Sequence, residues 1–181
     1  MNKKYQKISE EIVHQNPWWI YKHDVYKCDE KKQDYFYCHL IGNAIVIPIL
    51  NDGRIALIRQ FRYLQDRSGI EFPMGGLLPD ETPLQAAERQ LREETGFESD
   101  NFSKVGEFEP LQGIAKDRSH VFLANEISGQ VEISLDEMED IEVILRRPDE
   151  ITQMIKNGEI WSGQTLAAWA LARDFLNINK M

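Results

Sequence analysis

Hydrophobic and polar positions change their spacing several times along this chain, and each change marks an element. Residues 44–50 are an almost unbroken apolar run, which predicts a buried strand. The turn Asn51-Asp52-Gly53 follows, and residues 54–63 predict a second strand. Upstream, the aromatic-rich stretches 18–26 and 35–40 flank a polar run at 29–34, the pattern of an antiparallel hairpin. Residues 68–80 turn glycine- and proline-rich. The spacing then becomes helical: Thr82 is a capping residue, Pro83 fits the first helical position, Gln85 fits a capping box, and Gly96 ends the helix. Further strands are expected at 104–109, 120–126 and 141–146, with His120 read as structural among apolar neighbours. One helix is expected from Pro148 to near Gly158, and another over 165–175 with Leu166, Trp169, Ala170 and the neighbouring alanines on its apolar face. No repeat or flexible linker interrupts the series. Mixed strands with interspersed helices predict an α+β protein, an α/β/α sandwich with a mixed sheet plus an N-terminal antiparallel hairpin.

Composition narrows the classes of function. The 181 residues are 42% hydrophobic, enough for one real core. A formal charge of -9 and a pI near 5.0 disfavour a nucleic-acid reader, which needs a basic patch. An acidic protein still binds an anionic diphosphate if cations or local arginines reverse the field within the site. No apolar run approaches the roughly 18 residues that span a bilayer, and the first fifteen residues lack the apolar core of a signal peptide. The expectation is a cytoplasmic protein with no membrane partner. Cys28 and Cys38 are in position to face each other across the hairpin, but reduced thiols suit a chain of this size.

Candidate chemistry sits on the helix. Residues three and four apart share a helical face, so Gln90, Glu93 and Glu94 project to one side while Leu84, Ala87 and Leu91 project to another. Crowded carboxylates repel unless a cation neutralises them, and oxygen ligands suit hard ions such as magnesium or manganese. A solvated acidic face, paired to Arg89 and Arg92, is the alternative.

The full pattern is Gly75, five residues, Glu81, seven residues, then Arg89-Gln90-Leu91-Arg92-Glu93-Glu94-Thr95-Gly96-Phe97. It resembles the signature box of the Nudix hydrolases at every fixed position but one. The resemblance implies the α/β/α sandwich and hydrolysis of a nucleoside diphosphate linked to another moiety, with magnesium or manganese, two to three ions per site, on the box glutamates. The departure is Gln90, where the family carries a glutamate that commonly ligates metal beside the one matching Glu94. An amide oxygen still coordinates, but it brings no negative charge.

Beyond the box, Asn16-Pro17-Trp18, Arg59-Gln60-Phe61-Arg62-Tyr63 and Glu71-Phe72-Pro73-Met74-Gly75 resemble ADP-ribose and nucleotide-sugar pyrophosphatases. That subgroup implies a homodimer with exchanged N-terminal strands, so residues 1–40 are expected to dimerise and 41–181 to form the Nudix domain. It also implies metal ligands at Met74 (its carbonyl), Gln90, Glu94 and Glu139. Catalytic roles fall on Glu137 as general base, Glu93 and Arg89, and substrate contacts on Arg62, Glu71, Trp19, Arg59 and Gly75. Each has a bland alternative: Arg62 as a surface arginine, Trp18 and Trp19 as core filling, Glu137 and Glu139 as a solvated acidic loop. Where ADP-ribose hydrolases of this type often carry a proline, this chain has Gln112 before Gly113, which leaves GDP-mannose or another nucleotide sugar open. The expected products are a nucleoside monophosphate and a sugar phosphate. Two other readings compete: a nucleotide-sugar binding protein that turns over slowly or not at all because of Gln90, and an RNA-end hydrolase, disfavoured by the acidic balance.

Overall fold

A computed structural model describes residues 4–128 and 141–176. In chain order the elements begin with β1 (Tyr5–Gln15), β2 (Ile20–Cys28), β3 (Lys31–His39), β4 (Asn43–Pro48) and β5 (Ile55–Arg62). Then come β6 (Arg67–Glu71), β7 (Met74–Gly76), α1 (Pro83–Thr95), β8 (Asn101–Phe108), β9 (Ala115–Lys116) and β10 (Ser119–Asn125). The series ends with β11 (Ile141–Arg146), α2 (Pro148–Lys156) and α3 (Gly163–Ala172). Two compact units result: Met1–Gly42 with Glu109–Arg118, and Asn43–Phe108 with Ser119–Met181. Among the described residues no helix is long and apolar enough to cross a membrane.

The first unit is a sheet in the order β1-β2-β3-β9. The expected hairpin is present as β2 and β3, but its strands are longer than the aromatic stretches suggested. The polar residues 31–34 pair in register with β2, and only Asp29, at φ 55°, and Glu30 make the turn. Their side chains are exposed, so polarity carries no penalty while the backbone ladder is satisfied. The strand β1 has no counterpart in the hydrophobic pattern. All its residues are exposed, so no alternation marks it, and it forms by pairing with β2 around bulges at Ile8 and Val13. The two cysteines do not face each other: Cys28 pairs with Lys31 at the turn and Cys38 with Tyr21 at the far end. Both are free thiols.

In the second unit the turn at 51–53 joins two strands that do not form a hairpin. β4 lies in the sheet β7-β4-β10-β8, parallel to β10, while β5 lies in the sheet β11-β5-β6; a lone bridge, Ile49 to Ile55, connects them. The glycine- and proline-rich segment 68–80 takes part in β6 and β7, because pairing with β5 and β4 outweighs the low strand propensity of its glycines. Alternation along β4 and β10 splits the core. Ile45, Ile47, Val121 and Leu123 pack with Ile151, Met154, Ala168 and Trp169 from α2 and α3. Ala44, Val46, Phe122 and Ala124 pack on the other side against Ala86, Ala87 and Leu91 of α1. The sheet is therefore covered by helices on both faces, the sandwich its element order predicts.

Helix α1 begins as expected. The Gln85 amide N–H donates to the Thr82 hydroxyl (3.3 Å), and Thr82 N–H donates to the Gln85 side-chain oxygen (2.9 Å). Gly96 closes it at φ 70°, where a side chain would be strained. Its buried stripe differs from the expected one by a residue: Leu84 is 41% exposed and Ala86 is fully buried. On α3, Ala170 is exposed, while its neighbours Ala168 and Ala172 face the core as expected. In both helices the sheet decides which edge of a broad apolar stripe is covered. Leu91→Ala is expected to cost about 2–5 kcal/mol in urea denaturation, against about 0.5 kcal/mol or less for Leu84→Ala; equal costs would contradict this packing.

Candidate active site

The box residues meet where β7 turns into α1. Met74 ends the core segment Phe72-Pro73-Met74, and its backbone N–H donates to Glu94 Oε2 at 2.9 Å. Glu94, in the last turn of α1, is only 6% exposed, and Gln90, one turn earlier, only 8%. The helix face for which a solvated acidic surface was the alternative reading is thus turned inward at these two positions. Gly75 is needed for that: a side-chain carbon on it would stand 2.5 Å from the Gln90 amide. Glu93 is the carboxylate of this trio that reaches solvent. It accepts from Arg89 Nη1 (3.0 Å) and, more weakly, from Gln90 Nε2 (3.4 Å).

Arg89 organises the loop before the helix. Its Nε and Nη2 donate to the two oxygens of Glu81 (2.8 and 2.9 Å), and Nη2 also donates to the Gly76 carbonyl (2.9 Å). Glu81 Oε2 in turn accepts from Leu78 N–H at 2.8 Å. Glycine turn, loop and helix are joined through one guanidinium, which suits a planar fork with five donors. Arg89, expected to take part in catalysis, spends its donors on holding the loop. The pairing with Arg89, followed by the Leu78 N–H bond, lowers the Glu81 pKa below the ordinary carboxylate range.

The expected substrate contacts fall into different surroundings. Arg62 grips Glu71 in a two-pronged pair, Nε to Oε1 at 2.8 Å and Nη2 to Oε2 at 2.5 Å. Glu71 is 3% exposed, so it holds Arg62 in place and meets a ligand only through it. Arg59 pairs with Glu142 across β5 and β11 at 2.6 Å. That partner, 83 residues away, leaves no signal in residue order. Trp19, in the first unit, is half-buried and tilted against His14, ring centroids 5.7 Å apart; Trp18 is 77% exposed. Glu137 and Glu139 lie outside the described residues. His120 keeps a structural setting, its Nδ1 3.4 Å from Glu107.

Among the described residues no group of three His, Cys, Asp or Glu side chains comes together to hold a metal. The donor set nevertheless fits a hard divalent cation in kind: the Glu94 carboxylate, the Gln90 amide oxygen and the Met74 carbonyl are all oxygens. It is short of charge, because Gln90 is neutral and Glu93 is shared with Arg89.

A mixed sheet sandwiched by helices thus carries a clamped glycine turn and an acidic helix. The profile of the NUDIX domain family matches residues 40–169, and the chain belongs to that family. It is 33% identical over 128 residues to an ADP-ribose pyrophosphatase of Bacillus subtilis (strain 168), covering 70% of this chain and 69% of the relative. Identity and coverage are the same with a methanol dehydrogenase activator of Bacillus methanolicus. The solved structure of an ADP compounds hydrolase superposes with a TM-score of 0.84 over 98% of this chain and 96% of that one, at 16% identity, a likeness of fold.

The clamp has a pH signature. Because the folded pKa of Glu81 is lowered, its contribution to stability is complete above the unfolded value of about 4.3 and is lost as pH falls through the folded value. In thermal melts between about pH 5 and about pH 2, Arg89→Leu is expected to lose less stability than the parent chain. A parallel loss in both would remove Glu81–Arg89 as the cause.

Proposed function

We propose that this Nudix hydrolase cleaves the diphosphate of ADP-ribose and related nucleoside diphosphate sugars, releasing a nucleoside monophosphate and a sugar phosphate. The observation that carries the reading is the buried Glu94 tied to Met74 N–H, with Gln90 packed on Gly75 beside it. The likeness to the Bacillus subtilis pyrophosphatase over more than two thirds of both chains supports the substrate class.

In this reading Glu94, the Gln90 amide oxygen and the Met74 carbonyl hold magnesium or manganese, with Glu139 added on the sequence resemblance alone. The bound cation supplies positive charge against the diphosphate oxygens. Arg62, its fork steadied by Glu71, binds a diphosphate oxygen and stabilises charge that develops as the bond breaks. Glu137, on the resemblance, takes a proton from the attacking water, and Glu93, which reaches solvent, is the other catalytic carboxylate. Arg89 keeps the glycine turn and helix in register for all of them. The long exposed strand β1, with Tyr5, Ile8, Ile12 and Val13 turned outward, supports a homodimer built on exchanged N-terminal strands, and the two free thiols suit the cytoplasm.

A second reading, a nucleotide-sugar binding protein with slow turnover, is favoured by Gln90. Loss of one supporting ligand typically costs about 10- to 100-fold in metal affinity or activity. Incubation with magnesium and ADP-ribose or GDP-mannose, followed by chromatography, is expected to release monophosphate, and Gln90→Glu to raise kcat/KM by about tenfold or more. Calorimetric binding without product in either chain would select the binding protein. No product and no binding in both would sink the two readings together.

A further inference from the structure

β5 and β6 run antiparallel with Arg62 directly opposite Arg67. Like charges facing each other in a ladder repel, and each needs a neutralising neighbour. Arg62 has the buried Glu71. Arg67 has no such carboxylate: among the described residues none stands within ion-pair distance of it, although the chain carries a net charge of -9. Its guanidinium lies instead over the ring of Trp161, 4.1 Å from the centroid. Trp161 sits between α2 and α3 and is anchored to β6, its Nε1 donating to the Ser68 carbonyl at 3.4 Å. Gly69 makes room for this: a side-chain carbon there would stand 3.0 Å from Trp161 Cζ2 and 2.7 Å from Glu71 Oε1. A glycine inside a strand is otherwise a cost, so its place under an indole and a buried carboxylate has a packing reason.

The result is a half-buried aromatic ring, one face covered only by an exposed arginine, beside a second arginine held rigidly by a carboxylate. Cation–π contacts at exposed sites are weak, and a flat heteroaromatic ring is an equal or better partner for indole. The displaced guanidinium would then find a phosphate oxygen, for which its planar fork is suited. We propose that Trp161 and the Arg62–Arg67 pair form a slot for the nucleotide end of the substrate. The base replaces the Arg67 guanidinium on the indole, and Arg67 turns to the neighbouring phosphate beside Arg62. The slot rests on the diphosphate reading and adds to it the residues that recognise the base. Trp161 reads any flat base, so the slot favours nucleotides over base-free sugar phosphates.

Calorimetry with AMP, adenosine and ribose 5-phosphate, without added metal, tests it apart from turnover. Trp161→Leu is expected to weaken AMP about tenfold while leaving ribose 5-phosphate unchanged. An unchanged AMP affinity, or an equal loss of both ligands, would overturn the slot. Arg67→Ala, at an exposed position, keeps the test valid should the first variant fold poorly. It is expected to weaken AMP and tighten adenosine, since the competing guanidinium is gone; a variant that binds both like the parent would also overturn the proposal. ADP-ribose cleavage with AMP binding indifferent to both substitutions removes the slot alone, whereas the expected AMP pattern without cleavage removes the hydrolase reading alone.

Discussion

The segment between β7 and α1 has no regular structure of its own, yet everything at the site depends on where it puts Gly75 and the start of the helix. Arg89 supplies the constraint. One guanidinium satisfies Glu81, Glu93 and the Gly76 carbonyl together, so turn, loop and helix cannot move independently. With the turn held, Gly75 presents a bare backbone to Gln90, and Met74 N–H meets Glu94. Both helix side chains are then buried without losing polar partners, which is the condition for keeping such groups out of water.

The second sheet follows the same logic of one charge holding another. Glu71 is almost wholly buried and is tolerable there because Arg62 takes both its oxygens. Glu71 stands three residues before Met74 in the chain, so the carboxylate that holds Arg62 and the backbone that ties Glu94 share one short segment, Glu71-Phe72-Pro73-Met74. Phe72 and Met74 anchor that segment in the core with Trp169 of α3. The base of this region is rigid, with freedom left mainly to groups that reach solvent, such as the half-buried Glu93 and the exposed Arg67.

Gln90 gives this chain its own character within the family. The amide keeps the close buried contact with Gly75 and, being neutral, adds no negative charge beside Glu94.

Local chemistry was readable from residue order. The capping box of Thr82 and Gln85, the closing Gly96, the apolar run of β4 and the spacing of the box each depend on neighbours a few residues apart, and the structure reproduces them. What residue order could not convey involves partners far along the chain. Strand β1 is exposed on both faces and exists only through β2; β6 and β7 form in a glycine- and proline-rich segment because β5 and β4 lie alongside. The turn at 51–53 joins strands of different sheets, and the pairings of Arg59 with Glu142, Arg62 with Glu71 and Arg67 with Trp161 arise only once those sheets assemble. Periodicity and capping are local energies written into adjacent residues, whereas sheet membership and charge pairing are settled by which surfaces the folded chain brings into contact.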